Sequence, residues 1–181
     1  IEYNKIDKYN HFIGKYVISE NDKDYSELIK VLSFLKSQNV EELRLEDMIN
    51  LFEFVISPSD RIVTGAIYTP KNIRDYILGR CLDTIHSLCD IHVADIACGC
   101  GGFLMDAAKI IHRKTKKSYY DIFRQNIYGI DIQSYSIERC KILLNLLAVS
   151  DNEVTDFKFN LLCADTLDFK SETWDSCYSN F

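Results

Sequence analysis

A short apolar segment that runs into a glycine-rich turn is the feature that most constrains how this 181-residue chain can fold. Residues 91–96 read Ile-His-Val-Ala-Asp-Ile, which is typical of a buried strand, and residues 98–102 read Cys-Gly-Cys-Gly-Gly. A helical pattern follows at once, with Leu104, Ala108 and Ile111 on one stripe. Glycine lets the backbone approach a ligand closely, so this order predicts an α/β sheet with a ligand-binding turn.

The alternation of strands and helices continues towards the end of the chain. Residues 127–132 have the pattern of a second strand, residues 157–163 that of a third, and residues 174–179 are a candidate fourth. We therefore predict an α/β fold with a doubly wound parallel sheet over residues 61–181. The helix between the second and third strands is marked by apolar residues at helical spacing: Ile137, Cys140, Leu144 and Leu147.

The first third of the chain carries helical rather than strand patterns. Apolar residues recur at helical spacing over residues 24–36 and again over residues 45–56. We therefore predict an N-terminal helical extension over residues 1–60, in which residues 1–18 have no clear period and receive no assignment. Thr69 and Pro70 predict the N-cap and the first residue of a further helix, since proline has no N–H to lose there.

Composition excludes several classes of protein. Asp and Glu total 27 against 21 Lys and Arg, and the net charge of −6 argues against a domain that binds nucleic acid alone through a basic face. Seven scattered cysteines argue against a disulfide framework and favour a reducing cytoplasm. No apolar run approaches the ~18–20 residues that a membrane-spanning helix requires. The chain begins with Ile1 rather than Met, so we expect a portion of a longer protein.

Three aspartates occupy the ends of the predicted strands: Asp95, Asp131 and Asp165. In open parallel sheets, ligands bind beyond the carboxyl ends of the strands, so these side chains are expected to meet in one cleft. The helix after the glycine turn offers free N–H groups, and an acid at the end of the second strand is suited to both hydroxyls of a ribose. The sequence therefore predicts a ligand that contains a nucleoside.

The glycine turn indicates which nucleoside ligand fits. Leu104 stands where the Gly-x-Gly-x-x-Gly pattern of dinucleotide sites requires its third glycine, and the Gly-Lys-Ser/Thr of a P-loop is missing. Gly102 and Asp131 are also further apart than the ~20 residues typical of nicotinamide cofactors. A carboxylate beside the turn repels a pyrophosphate and favours ammonium and sulfonium charges. S-adenosylmethionine is a cofactor of this kind.

Four short motifs occur in order: residues 65–70 (Gly-Ala-Ile-Tyr-Thr-Pro), 95–104 (Asp-Ile-Ala-Cys-Gly-Cys-Gly-Gly-Phe-Leu), 129–132 (Gly-Ile-Asp-Ile) and 164–167 (Ala-Asp-Thr-Leu). The chain from about residue 60 onwards resembles the S-adenosylmethionine-dependent DNA N6-adenine methyltransferases of bacterial restriction-modification systems. It looks most like the modification subunit of type I systems or the methylase part of fused type IIG enzymes. The resemblance implies a Rossmann-like class I methyltransferase fold, S-adenosylmethionine as cofactor without a metal, and a bacterial cytoplasmic protein.

The resemblance also assigns residues around the cofactor. The first motif matches the segment that closes over the methionine end of the cofactor, and the second matches the cofactor loop. Asp131 matches the ribose-binding acid, with Ile132 beside it to pack on the adenine ring. Asp165 matches the acid that accepts from the adenine amino group, with Leu167 nearby. The residues matched in the first two motifs are Tyr68, Thr69 and Pro70, and Asp95, Ala97, Gly99 and Gly101.

The family's catalytic motif is Asn-Pro-Pro followed by Tyr or Phe, at the end of the fourth strand. Here Asn180 is followed directly by Phe181 and both prolines are missing, so the excerpt ends there, intervening residues are absent, or the motif is degenerate. By resemblance, Asn180 accepts a hydrogen bond from the amino group of a flipped-out adenine. Phe181 stacks on the base only if the protein has residues between Asn180 and Phe181 that are missing from this sequence. We expect this chain alone to bind the cofactor weakly and to methylate nothing.

Other interpretations of the same residues stand beside this one. An alternative role for Asp95 and Asp131 is to cap the helices that follow their strands, and Asp165 followed by Thr166 is a common turn. Cys98 and Cys100 are too close in sequence for a structural zinc site. A non-catalytic S-adenosylmethionine-binding module, or an RNA or protein methyltransferase with a similar motif, is an alternative function. The implied partners are double-stranded DNA, bound through regions outside this chain, and specificity and restriction subunits or domains, with no membrane.

Overall fold

The structure is a computed structural model that describes residues 9–37, 44–54 and 68–168. None of the described helices combines the length and the apolar character that a membrane crossing requires. In chain order the elements are α1 (His11–Gly14), α2 (Tyr25–Ser37), α3 (Leu45–Phe54), α4 (Lys71–Leu82), β1 (Val93–Asp95), α5 (Gly102–Thr115), α6 (Tyr119–Gln125), β2 (Ile127–Asp131), α7 (Ser134–Ser150) and β3 (Asn160–Cys163).

The three strands form a parallel sheet with β2 in the middle. Asp95 at the end of β1 pairs with Gly129, and Asp131 at the end of β2 pairs with Cys163. The predicted parallel α/β sheet is therefore confirmed, and its carboxyl ends reach one edge. A doubly wound sheet also needs a strand beyond β1. The candidate for that strand, residues 174–179, lies outside the described residues, so double winding stays a prediction.

The central strand β2 is buried on both faces, which explains why its sequence is almost continuously apolar. Ile127 belongs to the main core, between the sheet and its helices. Tyr128 and Ile130 form a second, smaller cluster with Leu162 and Ala164. The main core includes these fully buried side chains of α5, α6 and α7: Leu104, Met105, Ile111, Ile122, Phe123, Leu143 and Leu144.

Two glycines permit the close packing of the sheet, the turn and α7. Gly101 has a φ of 86°, and a Cβ there would lie 2.3 Å from the Cys140 sulfur. Gly129 lies in the middle of β2, where a Cβ would lie 2.7 Å from the methyl carbons of both Leu104 and Leu161. A side chain at either position would force neighbouring elements apart, because atoms of a packed core have almost no free space around them.

Parts of the predicted N-terminal extension pack directly on this core. Ile49 of α3 is buried in the main core, and α3 lies against α7. Asn10 is fully buried, and its side-chain amide donates to Asn145 Oδ1 at 2.7 Å. The helix predicted over residues 24–36 is confirmed as α2, although its Val31 and Phe34 side chains are exposed. The domain boundary at residue 60 stays a prediction.

The prediction for the start of α4 was wrong. Pro70 is the N-cap rather than the first helical residue, because its ψ of 147° is extended. Ile73 and Ile77 are exposed, and the buried face instead carries Leu78, Leu82 and a charged residue, Arg74. Partners from other elements neutralise this arginine, which allows a charge to occupy a core position.

The third strand is shorter than the apolar alternation indicated. β3 begins at Asn160, and Phe157 and Phe159 precede it. Their rings pack against the Phe123 ring of α6, with centroids 5.5 and 5.2 Å away. Aromatic packing on a helix, rather than strand pairing, therefore accounts for the first half of this alternation.

We predict that Gly129→Ala lowers the free energy of unfolding by at least about 1–3 kcal/mol, the usual cost of inserting a methyl group into a packed core. The matched control is Gly79→Ala in α4, where a Cβ meets nothing within 4 Å. Alanine is the better helix former by about 0.5–1 kcal/mol, so this control is expected to stabilise the protein. Chemical denaturation measures both variants, and equal stability of the two would contradict the packing of β2 described above.

Candidate functional site

A cleft of about 660 Å³ opens at the carboxyl edge of the sheet, and Asp95, Asp131 and Asp165 all line it. Their predicted meeting in one cleft is therefore observed. Pro70 and Gly101 do not line the cleft: the proline precedes α4, and the glycine packs against α7. The other residues predicted to bind the cofactor all line the cleft: Tyr68, Thr69, Ala97, Gly99, Ile132 and Leu167. The predicted catalytic residues Asn180 and Phe181 lie outside the described residues, as do residues 65–67 of the first motif.

Each of the three aspartates stabilises a turn at the end of its strand. In every case Oδ1 accepts a hydrogen bond from the backbone N–H two residues further along the chain. The turn interpretation is therefore correct for Asp165, whereas Asp95 and Asp131 stabilise turns and do not cap the following helices, whose N-caps are Gly101 and Gln133. Each turn leaves the second carboxylate oxygen for another role. The donors are Ala97 N to Asp95 at 3.1 Å, Gln133 N to Asp131 at 2.8 Å, and Leu167 N to Asp165 at 2.9 Å.

The second oxygens of the aspartates differ in their use. Asp131 Oδ2 accepts from Gly99 N at 2.9 Å, which fixes the glycine turn against the end of β2. Within residues 9–37, 44–54 and 68–168, no hydrogen bond reaches Oδ2 of Asp95 or Asp165. Two carboxylate oxygens at the cleft are thus held in place by turns and still have the capacity to accept from a ligand.

The cleft is unfavourable for the negative charge that it carries. Burial raises the pKa of Asp95, and the nearby charge of Asp131 raises it further, whereas the hydrogen bond from Ala97 N lowers it. Each of the two raising effects penalises the ionised carboxylate. A cationic group in the cleft would remove this penalty, and an anionic group would increase it.

Tyr68 forms a wall of the cleft over the glycine turn. A Cβ on Gly99 would lie 3.0 Å from the Tyr68 ring, so the ring rests on the glycine backbone. The hydroxyl oxygen of Tyr68 is buried near the Cys100 thiol and the Arg139 guanidinium, but it makes no hydrogen bond of ordinary geometry within the described part of the chain. Burial raises the pKa of Tyr68, as does the Cys100 thiol, whereas the Arg139 guanidinium lowers it. A buried hydroxyl without a well-formed hydrogen bond calls for an explanation, and a ligand in the cleft would supply one.

Aliphatic side chains are exposed along the same cleft. Ile96, Ile132 and Leu167 are 56%, 60% and 97% exposed, and each follows the end of a different strand. The Thr166 hydroxyl donates to the Ile96 carbonyl oxygen at 2.6 Å, which joins the segments that follow β3 and β1. Apolar surface beside oriented carboxylates suits a ligand that is flat and apolar in one part and polar in another.

Sequence analysis missed one charged residue of this region, Arg74. It lines the cleft, although its side chain is only 3% exposed. The helical spacing of Arg74, Leu78 and Leu82 was visible in the sequence. An arginine at such a position normally indicates that the apolar face of the helix is interrupted, because arginine side chains are mostly exposed. Its partners are Glu46 and Asp106, which are 28 and 32 residues away, so no local pattern reveals the pairing.

One group of possible metal ligands occurs in the described segments, and none of its members lines the cleft. The ligand atoms of His112, Asp151 and Glu153 lie within 4.8 Å of one another. His112 Nε2 is 3.1 Å from Asp151 Oδ2, and the Glu153 carboxylate accepts from the backbone N–H groups of Tyr119 and Tyr120. These contacts give the group a structural role, since they join the C-terminal ends of α5 and α7 to the first residues of α6.

Comparison with known proteins identifies the family. No curated protein matches the sequence significantly. The N-6 DNA methylase family matches residues 46–180, about three quarters of the chain, including the glycine turn and the three aspartates of the cleft. The match begins in α3, so it extends further towards the N-terminus than the resemblance described above. The chain therefore belongs to the N-6 DNA methylase family.

Proposed function

We propose that the cleft binds S-adenosylmethionine and that the protein methylates adenine N6 in double-stranded DNA as part of a bacterial restriction-modification system. The observation that carries the proposal is the combination, in one cleft, of exposed aliphatic side chains with carboxylate oxygens that have no donor among the residues the structure describes. Family membership supports the reaction type, and the cleft supports the class of cofactor.

The charge of the cleft fits the methionine part of S-adenosylmethionine. Its ammonium and sulfonium groups are cations, and the ionised carboxylates of Asp95 and Asp131 repel each other. Gly102 and Phe103 begin α5 and line the cleft, and the first N–H groups of a helix have no acceptor within it. These groups would hold a carboxylate of the ligand.

The remaining lining fits a nucleoside. Asp131 would accept from ribose hydroxyls, since each of its oxygens has a lone pair beyond the one used by Gln133 N or Gly99 N. Oδ2 of Asp165 would accept from the adenine amino group, and Ile132 would pack on the ring. We infer that Tyr68 and Thr69 close this cleft from the side of α4.

In the proposed reaction, the bound cofactor supplies an electrophilic methyl group, and the chain's residues position the acceptor. Asn180 would accept a hydrogen bond from the adenine N6 amino group, which keeps electron density on that nitrogen. Phe181 would stack on the flipped-out base if further residues separate it from Asn180. DNA sequence recognition and restriction are assigned to other regions or subunits.

We predict that the chain binds S-adenosylmethionine in isothermal titration calorimetry and that Asp131→Ala weakens binding roughly 10- to 100-fold. The reason is the loss of charge-assisted hydrogen bonds worth about 1.5–3 kcal/mol. Asp151→Ala is the matched control, because Asp151 is an exposed aspartate that does not line the cleft. Equal affinities of wild type and Asp131→Ala would reject the cofactor assignment.

We predict that the full-length protein transfers labelled methyl groups from S-adenosylmethionine to adenine in double-stranded DNA, and that Asn180→Ala abolishes the transfer while binding persists. The amide acts on the acceptor base rather than on the cofactor, which separates the two effects. Parallel reactions with RNA and protein test the other substrate classes. Binding without transfer to any of the three would favour a non-catalytic cofactor-binding module.

We predict that Asp95→Asn stabilises the ligand-free protein at pH 7 and weakens S-adenosylmethionine binding at least about tenfold, since asparagine keeps the acceptor for Ala97 N but removes the charge. Folding raises the pKa of Asp95 above its ordinary value of 3.8, so the ionised carboxylate destabilises the folded state. That loss of stability is absent below the unfolded pKa, grows as pH rises from the unfolded to the folded pKa, and is complete above the folded pKa. Thermal unfolding from pH 3 to pH 7 measures it, and a variant less stable than wild type at pH 7 would contradict this account.

A further inference from the structure

The Arg74 guanidinium connects three separate parts of the molecule. Its Nε donates to Asp106 Oδ2 of α5 at 2.9 Å, and its Nη2 donates to Glu46 Oε2 of α3 at 2.6 Å. Its Nη1 donates to the backbone carbonyl oxygen of Thr69 at 2.7 Å. The Arg74 and Asp106 side chains are 3% and 7% exposed, so most of this network is shielded from water.

The network requires all of its members because a buried charge is costly. Two acids hold the Arg74 cation, and Lys109 lies 3.8 Å from the far oxygen of Asp106. Burial alone would lower the Arg74 pKa, but the hydrogen bonds that its guanidinium donates to both acids raise the pKa above its ordinary value. Removing one charged partner leaves the remaining buried charges without full neutralisation. A change at one end of the network therefore alters the hydrogen bonds at the other end.

The bond to Thr69 has a consequence beyond charge neutralisation. Pro70 O accepts the N–H groups of Ile73 and Arg74, whereas Thr69 O precedes the helix and receives its donor from the Arg74 side chain. The residue before Thr69 is Tyr68, whose ring rests on Gly99. The guanidinium therefore holds the peptide that positions this wall of the cleft.

We propose that Arg74 is a positioning residue for the cofactor cleft and that Glu46, which does not line the cleft, controls ligand affinity through it. Glu46 fixes the guanidinium, the guanidinium fixes the Thr69 carbonyl, and this carbonyl fixes Tyr68 over the glycine turn. Helix α3 contributes Ile49 to the lining of the cleft, and the Glu46–Arg74 pair separately couples this helix to the Tyr68 wall. The proposal rests on the cleft being the S-adenosylmethionine site.

The test compares Glu46→Gln with Asp47→Asn in the 181-residue chain. Both variants remove one negative charge from α3, but Asp47 pairs with the exposed Arg44 and not with Arg74. Arg74→Ala is unsuitable, since it leaves Glu46 and Asp106 without their cation and endangers folding. Thermal unfolding of both variants establishes that they remain folded under the conditions used.

Two measurements decide the outcome. By calorimetry, Glu46→Gln is expected to bind S-adenosylmethionine at least about fivefold more weakly than wild type, and Asp47→Asn within about twofold of it. By hydrogen exchange, Glu46→Gln is expected to accelerate exchange in a peptide that spans residues 68–73 and to leave β2 unchanged. A purely structural role for Arg74 would accelerate exchange in β2 as well, and that result overturns the proposal.

The two proposals fail in different ways. Equal cofactor affinity of Glu46→Gln and Asp47→Asn would overturn the positioning role while leaving the cofactor assignment intact. If wild type does not bind S-adenosylmethionine, the proposed function fails, and the exchange of residues 68–73 still decides whether Glu46 holds the Tyr68 wall. Unchanged exchange there in Glu46→Gln would overturn the inference independently of any ligand.

Discussion

The fold and the cleft both depend on how closely the glycine turn lies against β2 and α7. Cys98 N donates to Ile130 O at 2.8 Å, and Gly99 N donates to the Asp131 carboxylate at 2.9 Å. On the other side of the turn, Gly101 leaves no space for a side chain beside Cys140. Once the turn occupies this position, α5 begins at the edge of the cleft and the strand-end carboxylates face the same space. A larger residue in the turn would therefore disturb core packing and the site together.

The sequence was sufficient to predict the features that depend on local patterns. Alternating strands and helices predicted the parallel sheet, and aspartates at the strand ends predicted a shared cleft, because parallel strands end at a common edge. Patterns failed where tertiary partners decide the outcome. The burial of Arg74 depends on acids in α3 and α5, and the short β3 depends on aromatic packing before Asn160. The predicted catalytic residues and the fourth strand lie outside the described residues.

Structural and functional interpretations of the strand-end aspartates are compatible. A carboxylate has two oxygens, and in each case the turn uses Oδ1. The backbone N–H that donates to Oδ1 also orients the second oxygen, so the turn prepares the site rather than competing with it. In Asp131 both oxygens have a structural role, since its Oδ2 also fixes the glycine turn. Replacing it therefore affects the shape of the turn as well as the acceptor, which is why a change at Asp95 separates charge from geometry more clearly.

The electrostatics of the cleft explain why the stability of the ligand-free protein and its affinity for a cation oppose each other. Asp95 and Asp131 lie close enough for the charge of one to raise the pKa of the other, and burial adds to the effect. This arrangement weakens folding when both are ionised, and the same repulsion becomes attraction when a cation enters. A pyrophosphate ligand would add negative charge to the existing acids. Among the nucleoside ligands proposed for this cleft, its charge would therefore favour those that carry a cationic group on the sugar over those that carry a pyrophosphate.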